Sequence, residues 1–339
     1  MKVLFVYKYL TLGGVETVLR ARLDGLDRWG IEAHAWFFHD LGGRRVFAGR
    51  EDRVHVGEVE ACLRYAADFD LLATIDTEEI FPGFAAGKRP RLVVECHTPY
   101  VENLGYLKAL GPLRPAAVLV PSEHQRRVVL ERMDGRVPVL VVPNPLREAF
   151  VAEPAPFPVP LRRPVVAWIG RLDELKNWKG FIELAGKIDA EIWLAGKPVE
   201  AGVAEELLER SREAGILDRL RWYRGLPHDR VPAFLDAVRD SGGVAVSTSN
   251  GESFGMTVAE AMARRCAVVA PDRTPFTEFV EDGVNGSLYH PGAAAERVQG
   301  LLADAGLRDR LGRKARESIL ARYAPEPALE ALAASLRSL

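Results

Sequence analysis

The segment SNGESFGMTVAEAMARR, residues 249–265, sets two carboxylates, Glu252 and Glu260, on either side of SFGMTVA. Turn-forming residues open it, and Phe254, Val258, Ala261 and Met262 then recur at helical spacing. A helix is expected to begin near residues 253–255. Its first N–H groups have no intrahelical partner and carry partial positive charge. Ser253 and Gly255 are small enough to let a phosphate or polyhydroxyl oxygen reach those groups. Glu252 would stand at the mouth. Glu260 would project toward the same side, roughly 8–12 Å away at about 1.5 Å rise per residue. That separation is too long for a shared proton and suits two ends of one extended ligand. The same spacing also serves a Ser-capped amphipathic helix with Glu260 in solvent.

Three other stretches place chemically able side chains just beyond apolar runs. In WIGRLDELKNWKGF, Arg171 and Lys176 follow the run 165–169. An Arg fork and a Lys point charge suit a diphosphate, although Lys176 and Lys179 equally suit a wet surface. In TLGGVET, Gly13 and Gly14 fill the turn between a strand and a helix, where paired glycines let amides meet an anion. The fingerprint G-x-G-x-x-G is absent. In VVECHTPY, His97 follows the run 91–96. The DFD of residues 68–70 looks like a metal-binding pair, but it precedes its strand and reads as a solvated turn. Walker A, G-x-S-x-G and H-E-x-x-H patterns do not occur.

The elements that must hold these residues alternate. KVLFVY, IEAHAWFF, DLLATI, RLVVECH, AAVLVPS and VPVLVVP read as strands, with helical spacing between most of them. Residues 151–164 then hold five prolines, Pro154, Pro156, Pro158, Pro160 and Pro164, which continue neither helix nor central strand. The alternation resumes with PVVAWIG, AEIWLAG, RLRWYRG, GGVAVST, CAVVAPD and GSLYHP, and the chain is helical from about Ala293. This predicts an α/β protein of two doubly wound domains, 1–153 and 165–324, joined by a hinge over 154–164. Ligands in such sheets lie beyond the carboxyl ends of strands, and the space between two such domains is the default site.

The bulk numbers fit. A length of 339 residues suits about two domains. Net charge is −2, and residues 1–160 carry 20 basic and 21 acidic side chains, so no half has the basic excess of a nucleic-acid binder. Cys62, Cys96 and Cys266 are far apart and form neither a disulfide framework nor a zinc spacing. Met1-Lys2 runs directly into VLFVY, too short for a signal segment, and no apolar run reaches a membrane span. A cytoplasmic protein is expected, with peripheral contact at the inner membrane face left open.

Taken in order, these motifs resemble the retaining glycosyltransferases of family GT4, of GT-B fold, over nearly the whole chain. ESFGMTVAEAMARRCAVVAPD is similar to the family's E-x7-E segment, GRLDELK to its G-R-L…K segment, and GGVET to its amino-terminal G-G-x-E. PSEHQRRVVLER, VVPNPLREAF and FVEDGVNGSLYHPG also fit, with Pro145 in place of a usual glycine and a longer insertion before Lys179-Gly180. The resemblance implies that Glu252 faces the donor sugar and Glu260 holds the ribose. The amides of Ser253, Phe254, Gly255 and Met256 would meet sugar and phosphates, with Thr257 beside them. Arg171 and Lys176 would neutralise the diphosphate, with Gly13 and Gly14 approaching it from the first domain. His97 would lie near the reacting sugar, and Gly225 and Leu226 against the base. The last helix, about 325–339, would pack back on the first domain, and closure about the hinge would expel water.

The implied reaction moves a sugar from a nucleoside diphosphate sugar, a UDP-sugar first and a GDP-sugar next, to a hydroxyl acceptor. With Arg171, Lys176 and a helix N-terminus stabilising the leaving group, neither metal nor cofactor is expected. No carboxylate nucleophile is evident for a double displacement, which favours front-face attack. A nucleotide-sugar 2-epimerase and a non-catalytic sugar-nucleotide binder are the alternatives. The acceptor, whether small molecule, glycan or lipid-linked, is not readable. Tyr100 and Tyr106 offer rings for stacking, and Arg44 and Arg45 offer charge for a phosphate or anionic headgroup.

Overall fold

The computed structural model describes residues 1–85, 90–133, 137–152, 156–159 and 163–339. The chain divides into two compact units, Met1–Glu148 with Arg322–Leu339, and Ala149–Ala321.

Unit 1 is built on β1 (Lys2–Leu10), β2 (Glu32–Asp40), β3 (Val54–Val56), β4 (Leu71–Ile75), β5 (Arg91–Glu95), β6 (Ala117–Val120) and β7 (Val139–Val141). All pairs are parallel, in the order β3-β2-β1-β4-β5-β6-β7. The continuous apolar run of β1 is explained by its burial on both faces. Val3 and Phe5 pack into one core with Leu19 and Leu23. Leu4 and Val6 pack into the other with Leu72 and Val94. The first core also takes Leu329, Leu332 and Leu336 of the last helix, Pro325–Ser338.

Unit 2 repeats the plan with β8 (Val165–Ile169), β9 (Glu191–Ala195), β10 (Leu220–Tyr223), β11 (Val244–Val246), β12 (Ala267–Pro271) and β13 (Ser287–Tyr289). The order is β10-β9-β8-β11-β12-β13, again parallel throughout. In both sheets the order reverses beside the first strand, between β1 and β4 and between β8 and β11. Crevices at such switch points, beyond the strand carboxyl ends, are where doubly wound sheets take ligands.

Of the Pro-rich stretch, Pro154 and Pro160 lie outside the described residues. Residues 156–159 are anchored to unit 2 through Phe157, whose ring meets Trp193, Tyr223 and Phe234 at 5.7–5.9 Å. Just upstream, two arginines hold the entering chain by its carbonyls. Arg264 donates to Phe150 and Ala152, and Arg316 to Val151 at 2.8 Å. Arg264 is itself forked onto the buried Asp236.

Cys62, Cys96 and Cys266 are all buried free thiols. Among the described residues no helix is long and apolar enough to cross a membrane.

Candidate functional site

In unit 2 two loops meet at the β8/β11 switch point. The first runs from Gly170 to Asn177, the second from Ser247 to Gly255. They are joined by a set of hydrogen bonds that their sequences prescribe. Trp168, near the end of β8, donates Nε1–H to Thr248 Oγ1 at 3.0 Å, and Thr248 Oγ1 donates to the Asn177 carbonyl at 2.9 Å. Asn177 returns its Nδ2 to the Thr248 carbonyl at 3.1 Å, and Asn250 N donates to the Leu175 carbonyl at 2.7 Å. Asn177 adopts φ 51°, a left-handed conformation that Asn tolerates, and caps the helix Trp178–Ala185.

This bracing fixes the charges. Asp173 stands between the two cations expected from sequence. It accepts from Arg171 Nε at 3.0 Å and from the Lys176 backbone at 2.8 Å. The Lys176 ammonium turns inward to Glu252 Oε1 at 2.5 Å, where Ser249 Oγ also donates at 2.8 Å. Glu252 is 7% exposed and Lys176 17%, so this pair sits in a largely desolvated place. Lys179 instead pairs with Glu174 and Glu206 on the outside. The structure thus separates an inward-turned lysine, Lys176, from a surface lysine, Lys179, where sequence left both open.

The helix bearing Glu260 runs Met256–Ala263, with Gly255 as its N-cap. Gly255 has φ 101°, and a Cβ there would come within 2.8 Å of the Phe276 ring. Only glycine fits both constraints. Phe254 precedes the helix, is buried, and stacks on Phe279 at 5.2 Å. Its side chain is packing. Ser253 and Met256 are half-buried at the helix mouth, and Thr257 lines a small cavity beside Ala167 and Val246. Glu260 is buried and receives His228 Nε2 at 3.1 Å. The Phe150 ring meets the His228 ring edge-on at 5.5 Å. His228 lies three residues beyond Gly225, in the loop after β10, so Gly225 and Leu226 neighbour the Glu260 end of the site. Lys197, after β9, comes within 3.7 Å of where a Gly225 Cβ would stand. Neither His228 nor Lys197 was picked out from sequence.

In unit 1 the structure gathers groups around His97 that sequence did not combine. Its Nε2 meets Glu95 Oε2 at 2.9 Å, and Glu95 is forked by Arg22 at 2.8 and 2.9 Å. Burial alone would raise the Glu95 carboxyl, but the charge of Arg22 and the hydrogen bond with His97 hold it at about 2. Asp76, one residue past β4, accepts the His97 backbone N–H, and burial pushes its carboxyl upward. The first glycine turn is also more occupied than sequence implied. Glu16 folds back so that its carboxylate takes the Thr11 N–H and hydroxyl. Desolvation raises the Glu16 carboxyl. A Cβ on Gly13 would lie 3.0 Å from Glu16 Oε2, whereas Gly14 is exposed with open space around it.

One acceptor-side expectation needs correction. Tyr106 is 5% exposed, packs edge-on to Phe81 at 6.2 Å, and donates its hydroxyl to Asp76 at 3.3 Å. Its ring is committed to the core and unavailable for stacking. Tyr100 is half-buried. Arg44 and Arg45 are exposed, and Arg44 pairs with Asp40 at 2.7 Å. Asp70 of the DFD turn sits at the amino end of β4, accepting from Lys2 N at 2.7 Å. Among the described residues no group of three or more His, Cys, Asp or Glu is placed to hold a metal.

The chain is similar along its length to Anabaena HepE solved in complex with UDP and glucose. The TM-score is 0.85, with 20% identity and 100% coverage of both chains. Identity at that level carries the fold, which is GT-B with two Rossmann-like units. Among curated proteins, D-inositol 3-phosphate glycosyltransferase of Mycolicibacterium smegmatis is 33% identical over 266 residues, 76% of this chain and 55% of that one. Sucrose synthase of Acidithiobacillus caldus is 33% identical over 181 residues, 48% of this chain and 23% of that one. The chain thus spans about half the length, or less, of the curated relatives it matches. The family model of glycosyl transferases group 1 matches residues 150–318, which take in both loops of the β8/β11 crevice and the Glu260 helix. Residues 150–318 thus belong to the glycosyl transferases group 1 family.

Proposed function

We propose that the protein transfers a sugar, with retention, from a nucleoside diphosphate sugar to a hydroxyl acceptor, and that it needs no metal. A UDP-sugar is the first choice of donor and a GDP-sugar the second. The observation that carries this reading is the largely desolvated Lys176–Glu252 pair, with Arg171 on the same loop as Lys176 and the Glu260 helix following Glu252 in the chain. A diphosphate leaving group would take its compensation from Arg171, Lys176 and the helix N–H groups. Lys176 would have to share its ammonium between Glu252 and a phosphate oxygen, and the sugar would then lie beside Glu252. The ribose diol would fall to Glu260, already held by His228. HepE, solved with UDP and with UDP-glucose, lends support to the uridine choice. Departure of the diphosphate leaves positive charge on the sugar. Attack from the same face, with the departing phosphate oxygen taking the acceptor proton, accounts for retention without a protein nucleophile.

The test is thermal unfolding with UDP, GDP, ADP, dTDP and CMP, each with and without EDTA. A ligand that binds only the folded protein adds about 2.7 kcal/mol of apparent stability at a hundredfold excess over Kd. Stabilisation by UDP that survives EDTA is the expected result. A stabilisation abolished by EDTA removes metal independence, and no stabilisation by any diphosphate removes the donor site. The anomeric configuration of a product, or a covalent glycosyl-enzyme trapped on a side chain, decides the front-face step.

A further inference from the structure

Glu95 closes β5 within the buried core of unit 1, and its two oxygens face Arg22 in a fork. Arg22 reaches it from the helix Gly14–Gly25 and lies over the Phe5 ring at 4.8 Å. Neither partner can turn without breaking two bonds in a dry place. The His97 ring meets the same carboxylate through Nε2 at 2.9 Å. An ionised carboxylate accepts and never donates. The proton of that contact therefore belongs to His97 Nε2. In a neutral imidazole the other nitrogen, Nδ1, is then the acceptor.

The backbone of His97 is held as firmly as its ring. Both oxygens of Asp76 lie 3.1 Å from the His97 N–H. Gln125 Nε2 donates to the Thr98 carbonyl at 2.9 Å on the following residue. The charged and titratable groups around this corner are Arg22, Glu95, Asp76, Cys96 and Tyr106. Among the described residues, it is Glu95 of these groups that contacts the His97 ring.

We propose that Glu95, forked by Arg22, is the positioning residue of His97, fixing its proton on Nε2 so that the neutral ring offers Nδ1 to a hydroxyl of the sugar substrate. The arrival of a sugar hydroxyl at His97 rests on the transferase reading above. The position of the proton does not.

The experiment is long-range 1H–15N correlation of the histidine side chains in the 15N-labelled full chain, with His97 assigned by its loss in His97→Gln. The expected spectrum at neutral pH shows His97 protonated on Nε2 and bare on Nδ1. An Nδ1-protonated ring in the native protein overturns the proposal, and this reading needs no variant at position 95. In Glu95→Gln the amide can donate as well as accept, so His97 should become a mixture of tautomers. With that change kcat should fall at least tenfold while KM for the donor stays within twofold. Glu95→Asp, which keeps the charge, should recover part of kcat. A folded Glu95→Gln protein with native tautomer and native kcat also overturns the assignment. If UDP fails to bind, the transferase reading falls, and the spectrum still decides the proton.

Discussion

Removing the Lys176 ammonium would strip Glu252 of its cation in a site that is mostly dry. Leaving a buried charged or polar group short of a partner costs about 1–3 kcal/mol, so Lys176→Met should lower the urea midpoint clearly. Its activity should fall by about a hundredfold to a thousandfold, the scale for losing one preorganised charge-stabilising donor. Lys179→Met should leave both unchanged, because its partners Glu174 and Glu206 share the surface. Equal effects of the two substitutions would remove Lys176 from the site. Glu260→Ala should weaken UDP binding by tenfold or more, since a hydrogen bond to a charged group is worth about 1.5–3 kcal/mol; isothermal titration measures it. At this scale what was legible was position: Arg171, Lys176 and Glu252 lie in the loops that follow β8 and β11, where their motifs put them. It also carried signals that went unused. Glu95 is a carboxylate inside the apolar run RLVVECH, and Arg22 falls on the same helical stripe as Val15, Val18, Leu19 and Leu23. Charges at such positions are buried only in pairs. Asp76 had no such signal, being one polar residue past the end of β4.

The elements around the site depend on two unusual backbones, Asn177 at φ 51° and Gly255 at φ 101°. Gly255→Ala would add both a strained φ and a contact with Phe276. About 1–3 kcal/mol of destabilisation is expected for a residue forced into such a region, with a matching fall in UDP affinity as the helix mouth shifts. Thermal unfolding and titration on one preparation check the two together. A stable variant with unchanged affinity would show that the helix N-terminus does not meet the ligand. Most strands were readable because parallel strands buried on both faces form unbroken apolar runs, as in VVAWI and LLATI. β3 escaped because VHV is three residues long with a polar centre, and its neighbours supply the pairing. The Glu260 helix starts at Met256, one residue past the expected range, because Gly255 in a left-handed conformation cannot be a helical residue.

At the scale of the molecule, unit 1 is made from both ends of the chain. Leu332 of the last helix is fully buried in the first core. Leu332→Ala should cost about 2–5 kcal/mol, read as a drop in the melting transition, with deletion of residues 325–339 more severe still. Acid stability should be governed largely from unit 1 as well. Glu95 sits at about 2 when folded, against an ordinary 4.5. It binds fewer protons folded than unfolded, so its contribution is complete above that ordinary value and is lost as pH falls toward 2. Asp76 and Glu16 are raised, so they favour the folded state at low pH and oppose the loss in part. Glu95→Gln should therefore flatten the acid limb of the stability profile, and an unchanged limb would contradict the buried pairing. The three thiols carry one more consequence. Burial pushes Cys62, Cys96 and Cys266 up to about 12, so at neutral pH the native chain presents essentially no thiolate to an alkylating reagent. Two of the three belong to unit 1 and one to unit 2. Pulse alkylation followed by peptide mass spectrometry would thus time-stamp the opening of each unit separately, with no label engineered into the chain.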